Sequence, residues 1–360
     1  MVKCFDKNNK FVEVFDNKTG FYARSGVIEN GKDTGVDPFM RSFPSLIDVG
    51  VMGHCVHGLL GLCLFGGVEC YQNGKNKHQS NMALDNFKKI VDECKGKVYQ
   101  LALGGRGDVD QHEDFEEILK YCRVNGIVPN FTSSGLGFNN EIVRICKEYC
   151  GAVAISWYRQ AHTLSAIQKL ISAGVKTNIH YVLGNNSIEE AIQRLKEGSF
   201  PKRINAIIFL LHKPVGLGSE ANVLDINNPL VKEFFKLIDT QKFDFKIGFD
   251  SCSIPAILNL TSNIDHDSID TCEGGRWSMY ITSDMCALPC SFDNQEMRWA
   301  YDISNDTIQN AWESEQFENF RNHFRYSCSG CGCQNSCMGG CPIRPQVVLC
   351  DRAERKILVQ

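Results

Sequence analysis

Six apolar runs, each the length of a strand, recur along this chain with helix-length amphipathic stretches between them. That alternation constrains the fold more than any other feature. The runs cover residues 46–51, 98–103, 127–131, 153–156, 177–183 and 206–211, and 243–249 offers a further strand. Strands joined through helices run parallel with right-handed crossovers. Six such units in succession therefore predict an α/β fold built on a partial (β/α)6 TIM-like barrel. The helical stretches carry their own marks. Phe87, Ile90, Val91 and Cys94 share one helical face, as do Ile188, Ala191, Ile192 and Leu195. Ser187 with Glu190 reads as a capping box, and Asn228 with Pro229 as a cap and a first-turn proline. Residues 1–45 are a strand-rich extension, with 11–15 and 21–24 as a strand, turn, strand unit. Beyond residue 250 the alternation stops, and 306–324 reads as a single helix. The expected division is 1–45, 46–250 and 251–360.

Cysteines decide what chemistry this frame can hold. There are 18 of them in 360 residues. One reading is a disulfide-stapled secreted protein. However, disulfide frameworks belong mostly to small domains, and the start, Met1-Val2-Lys3-Cys4, has no apolar signal region. Spaced cysteine groups suit metal better. The first group, Cys55-x7-Cys63-x6-Cys70, follows the first barrel strand. It falls on a βα loop, at the barrel end where such folds carry their active sites. Zinc sites favour paired Cys-x2-Cys knuckles, and these gaps are wider. His54 and His57 flank Cys55 and are further candidate ligands. The second group is Cys328-x2-Cys331-x5-Cys337-x3-Cys341, with Cys350 behind; a two-zinc knuckle is the alternative here. Three thiolates leave one corner of a four-iron, four-sulfur cluster open, whereas four close it. An open site beside closed ones suits an enzyme that delivers electrons to an organic cofactor. Cys4, Cys94, Cys122, Cys146 and Cys150 read as packed or surface thiols, and Cys333 has no expected role.

With these motifs the chain resembles the radical S-adenosylmethionine enzymes that carry a C-terminal SPASM iron–sulfur domain, the peptide and protein maturases. The resemblance covers residues 46–350. It implies that Cys55, Cys63 and Cys70 bind a cluster whose fourth iron is chelated by S-adenosylmethionine. The usual spacing in that family is Cys-x3-Cys-x2-Cys, and both gaps are longer here. Tyr71 resembles the aromatic residue placed against the adenine. Leu103-Gly104-Gly105-Arg106 stands where the family has a Gly-Gly-Glu-like motif for the methionine amino group, with Arg106 in place of Glu. Ser134, in Thr132-Ser133-Ser134-Gly135, and Ser156 end the next two strands near the cofactor. The C-terminal block implies one auxiliary cluster on Cys328, Cys331, Cys337 and Cys350. A second falls to Cys341 with Cys272, Cys290 and either Cys252 or Cys286. Met285 occupies a family glycine position.

The resemblance implies S-adenosylmethionine and three 4Fe-4S clusters as cofactors. The expected function is generation of a 5′-deoxyadenosyl radical that abstracts hydrogen from a ribosomally made precursor peptide, leading to cross-linking or oxidation. A formylglycine-forming, anaerobic sulfatase-maturing enzyme is the alternative. A plain iron–sulfur electron carrier is disfavoured, because it needs neither an open cluster nor a βα barrel. An electron donor such as flavodoxin or ferredoxin is the expected second partner. A formal net charge of −4 without a basic run excludes a nucleic-acid footprint. The longest apolar stretch, 58–68, is short and glycine-broken, so no membrane partner is expected and the expected location is cytoplasmic. Residues 11–15 and 21–24 offer a strand edge to which an extended leader peptide could add.

Overall fold

The computed structural model describes residues 1–265, 269–325 and 331–351. The N-terminal strands β1 (Val2–Asp6), β2 (Phe11–Phe15) and β3 (Tyr22–Arg24) pair antiparallel in that order, followed by a small hairpin of β4 (Ile28–Glu29) and β5 (Lys32–Asp33). The expected strand, turn, strand unit is therefore present, with β1 added on its outer side. Its inner face is pinned to the rest of the molecule. Phe11 packs edge-on to Trp277 at 5.4 Å and Phe15 stacks on Tyr99 at 5.1 Å. Between them the buried Glu13 carboxylate accepts from Arg41 Nε and the Tyr99 hydroxyl, each at 2.8 Å.

Seven parallel strands then follow in chain order: β6 (Leu46–Met52), β7 (Gln100–Gly105), β8 (Val128–Ser133), β9 (Val153–Ser156), β10 (Thr177–Leu183), β11 (Ala206–Leu211) and β12 (Lys246–Phe249). Two short helices, α1 (Val56–Leu59) and α2 (Leu62–Phe65), lead from β6 into α3 (Leu84–Cys94). The later crossovers are α4 (Phe115–Val124), α5 (Asn140–Tyr149), α6 (Ala161–Ser172), α7 (Ile188–Glu197) and α8 (Pro229–Thr240). Each apolar run of the sequence thus became a strand, because a strand buried on both faces must be apolar or internally hydrogen-bonded. On β10, Ile179, Tyr181 and Leu183 are buried, while Asn178, His180 and Val182 alternate as half-buried. The strand register aligns that second set with Asp48, Asn130, Thr132 and Ser156 on neighbouring strands, so the barrel lumen carries a polar row. Thr132 Oγ1 lies 3.2 Å from His180 Nδ1 within it.

The sheet order, β12-β11-β10-β9-β8-β7-β6-β13-β14-β15, leaves the barrel partial. The last three strands lie beyond residue 250, where no sheet was expected. β13 (Ser278–Ile281) pairs parallel with β6, and β14 (Cys286–Leu288) and β15 (Tyr301–Asp302) continue antiparallel. They are short and come without crossover helices, so no βα pattern announces them. The remaining helices are α9 (Ile254–Leu260), α10 (Ile308–Glu313), α11 (Glu315–Asn322) and α12 (Gln334–Cys337).

Local chemistry explains what held and what did not. Asn228 caps α8 as expected, its Oδ1 accepting from Leu230 N at 3.0 Å ahead of Pro229. The capping box at Ser187 is not formed. Ser187 Oγ accepts from Gly184 N, and Glu190 is drawn away by Arg159 and Arg194. A charge-assisted pair outweighs a neutral cap bond. The single helix expected over 306–324 is two, because Ser314 is extended (φ −66, ψ 157) and starts α11 afresh, its hydroxyl accepting from Phe317 N. Met285 has φ 66, a left-handed backbone that a glycine would take freely. Among the described residues no helix is long and apolar enough to cross a membrane.

Candidate functional site at the barrel mouth

The chain leaves β6 at Met52 and folds α1 and α2 over the barrel's C-terminal end, carrying the first cysteine group. Cys55 is the N-cap of α1, and its Sγ accepts from Gly58 N at 3.1 Å. Cys63 is buried within α2, and Cys70 is half-buried in the loop that follows. Burial pushes the Cys55 thiol up to about 11. It pushes Cys63 up to about 12, with the neighbouring Cys70 and Cys55 thiols adding to the shift. The three thiols are therefore neighbours in a poorly solvated place. Thiols there ionise only when a cation takes the thiolates, which is what a metal centre supplies. Among the described residues no three His, Cys, Asp or Glu side chains are placed to hold a single metal ion. A four-iron cluster binds each thiolate through a different iron, and this all-thiol set fits that wider demand.

Arg106, expected near the cofactor, is committed to the loop. Its Nε donates to Gln72 O at 3.0 Å and Nη1 to Gly53 O at 3.3 Å. Gly104 and Gly105 end β7. A Cβ on Gly104 would meet open space, whereas one on Gly105 (φ +104) would lie 2.6 Å from Met52 O. Close strand packing, then, is what requires the second glycine. Gly107 (φ +137) is tighter still, with a Cβ there falling 2.1 Å from His54 O.

That contact brings forward two acids the sequence reading passed over. Asp108 accepts from both N and Oγ of Ser134 at 2.6 Å, which holds the end of β8. Asp110 is buried, and neither carboxylate oxygen has a hydrogen-bond partner. Burial and then the charge of Asp108 push Asp110 up to about 7. Burial also raises Asp108, against the Ser134 bonds. Asp108 lies close enough to raise the Cys55 and Cys63 thiols as well. The Asp-x-Asp spacing directly after a glycine turn was the available signal. Two buried acids with spare acceptor capacity, and no side-chain cation paired with them among the described residues, fit a positively charged ligand group.

Ser156 is half-buried at the end of β9, and Tyr71 packs against Phe292 with ring centroids 4.7 Å apart. Tyr71 thus joins the first loop to the segment after Cys290. His57 is not left free as a loop ligand. It is buried, with Nδ1 3.0 Å from Cys63 Sγ, while His54 is half-buried.

A second cysteine group assembles from distant segments. A hydrogen bond to the Cys341 thiol, with burial, holds Cys252 well above its ordinary value. Burial and the Cys252 thiol push Cys272 up to about 12. Cys290 is raised by burial and by both Cys272 and Cys252. Cys286 sits apart on β14, with Asp284 and Asp302 as its charged neighbours. Of the two candidates, the structure brings Cys252 to this group. Lys213 Nζ lies beside it, 2.5 Å from Asp250 and 4.3 Å over the Phe292 ring. Burial opposes its charge, but Asp250, Cys252 and Cys341 hold it protonated. Cys252, Cys272 and Cys290 also line a cavity of about 730 Å³ in the open side of the barrel, which Asp48 and Glu273 share. Cys331, Cys337 and Cys350 are half-buried, and Cys328 lies outside the described residues. Cys94, Cys122 and Cys146 are packed in the core.

No protein-family model matches the chain, and no curated protein matches it in sequence. Solved structures do share the fold. SuiB of Streptococcus suis bound to S-adenosylmethionine superposes with a TM-score of 0.67 at 17% identity, over 88% of this chain and 78% of SuiB. SuiB bound to the precursor peptide SuiA gives 0.66 at 17% identity, over 88% and 77% of the two chains. Native anSMEcpe with bound AdoMet and the Kp18Cys peptide gives 0.60 at 16%, over 83% of this chain and 89% of the other.

Proposed function

We propose that this chain is a cytoplasmic radical S-adenosylmethionine maturase acting on a ribosomally made precursor peptide. The observation that carries the proposal is three neighbouring thiols on the first βα loop with an acid pair after the next strand, of which Asp110 is buried and unpartnered. The fold it shares with proteins crystallised with S-adenosylmethionine and with peptides supports the same reading. In this reading Cys55, Cys63 and Cys70 hold the open cluster. Asp108 and Asp110 would hold the cationic amino group of the cofactor's methionine part, near Gly104, where a Cβ would meet open space. Tyr71 would meet the adenine, and Ser156 would offer a polar contact. When bound, the cluster and cofactor together supply the one-electron cleavage that yields a hydrogen-abstracting radical.

The protein's own part is positioning. Arg106 ties the loop carbonyls to β7. The polar lumen row orients the peptide, and the barrel wall keeps solvent from the radical. Cys252, Cys272, Cys290 and Cys341 hold one closed cluster, and Cys328, Cys331, Cys337 and Cys350 hold another. Held there, closed clusters would supply electron exchange with the substrate and with a donor such as flavodoxin or ferredoxin. The likeness to peptide-bound anSMEcpe favours one second reading, formylglycine formation.

Anaerobic reconstitution tests the proposal. About 12 irons per chain and reductant-dependent 5′-deoxyadenosine are expected. About four irons, or zinc in their place, contradicts it. Mass loss or cross-linking in a short peptide encoded beside this gene separates the main reading from oxidation of a sulfatase peptide.

A further inference from the structure

His57 stands out among the buried polar groups. It is 1% exposed, its ring packs on Tyr158 with centroids 4.4 Å apart, and both of its nitrogens are engaged. Nδ1 lies 3.0 Å from Cys63 Sγ, and Nε2 lies 3.3 Å from His162 Nε2. With a sulfur at one nitrogen and a second imidazole nitrogen at the other, the buried ring is neutral. A neutral imidazole has one donor and one acceptor, assigned from its partners. A Cys63 thiolate that holds a cluster only accepts, so with the cluster bound the proton belongs on Nδ1. Nε2 then accepts from the Nε2–H of His162, which is half-buried in the first turn of α6. The proton positions along Cys63, His57 and His162 are thereby set.

We infer that His57 is a positioning residue that donates a hydrogen bond to the Cys63 thiolate and raises the reduction potential of a cluster held there, with His162 fixing its tautomer. This rests on Cys55, Cys63 and Cys70 being cluster ligands. Hydrogen bonds to cluster sulfurs disperse the extra negative charge of the reduced state and so favour reduction. Cys55 takes its bond from the backbone of Gly58, which no side-chain substitution removes. Cys63 takes its bonds from side chains, since the Tyr158 hydroxyl also reaches it. Tuning by sequence therefore acts through Cys63.

The test is a redox titration of the iron-loaded full chain, following the paramagnetic signal that S-adenosylmethionine perturbs. His57→Phe keeps a ring against Tyr158 and removes the donor. It should keep its iron and shift the reduction equilibrium about threefold toward the oxidised form, about 30 mV at 59 mV per decade. His57→Gln, which restores an N–H, should recover part of the shift. His162→Phe should move the potential the same way by a smaller amount. An iron-loaded His57→Phe protein with the wild-type potential overturns the inference. If that variant fails to load iron, His162→Phe, which touches no thiol, decides in its place, and an unchanged potential overturns it equally. A wild-type chain that takes up no iron instead defeats the reading of the cysteines, so the two failures are distinct.

Discussion

The two cysteine groups differ in how they are assembled and in what faces them. Cys55, Cys63 and Cys70 come from one loop. Asp108 lies beside them, and Asp110, next to Asp108, has both oxygens unpartnered. Cys252, Cys272, Cys290 and Cys341 come from segments nearly ninety residues apart in sequence, and their neighbour is a buried lysine already paired with Asp250. Among the described residues no side-chain cation pairs with Asp108 or Asp110, so the first arrangement is open to one. The second has its cation built in. In the proposed reading, the open site and the closed one are distinguished by their surroundings more than by their thiols.

The sharpest way to break this comparison is to remove each group in turn. Replacing Cys55, Cys63 and Cys70 by Ala should abolish 5′-deoxyadenosine formation and remove roughly a third of the iron. Replacing Cys252, Cys272, Cys290 and Cys341 by Ala should remove a similar share yet leave slow cofactor cleavage, read by chromatography. If both variants lose cleavage alike, the open and closed roles are not separate.

Lys213→Met comes next in size. It strands Asp250 without its cation, and breaking a buried pair costs about 3–5 kcal/mol. Denaturant unfolding should show that loss, while binding of S-adenosylmethionine to the first group persists.

Asp108→Asn sharpens the other side. A hydrogen bond to a charged group contributes about 1.5–3 kcal/mol, so S-adenosylmethionine affinity by calorimetry should fall roughly 10- to 150-fold. Unchanged affinity would place the amino group elsewhere.

The smallest effect is in pH. Asp110, Asp48 and Glu273 are each pushed up to about 7, mainly by burial. A carboxyl that binds its proton more tightly when folded stabilises the fold below its ordinary value near 4, and that stability is lost as pH rises through about 7. The cluster-free protein should therefore melt at lower temperature at pH 8 than at pH 5, and Asp110→Asn should flatten the dependence. A slope of the opposite sign would mean the acids meet a cation within the protein.

Much of this was legible in local pattern. The strands from β6 to β11 follow their apolar runs, and Asn228 with Pro229 announced the start of α8. The hairpin of β2 and β3 was equally plain, though its inner face proved to be packed. Glu13 is held by Arg41 and Tyr99, which favours a structural role for that face and leaves only the edges for a peptide. The capping box failed because Glu190 met Arg159, a residue 31 positions away. The helix over 306–324 failed at Ser314, whose hydroxyl made a second N-terminus cheaper than continuing the first.

The sequence by itself determined the alternation of strands and helices, the loop that carries the first three cysteines, and the thiol chemistry of both groups. Periodicity and spacing act over a few residues, and they suffice for these. Only the tertiary structure decided that Arg106 turns to loop carbonyls while Asp108 lies near the thiols and Asp110 stays unpartnered, that Cys252 rather than Cys286 joins Cys341, and that Lys213 lies beside Cys252 and His57 meets Cys63. Those outcomes depend on which strand ends converge at the barrel mouth, and on desolvation there, which makes each unmatched charge costly.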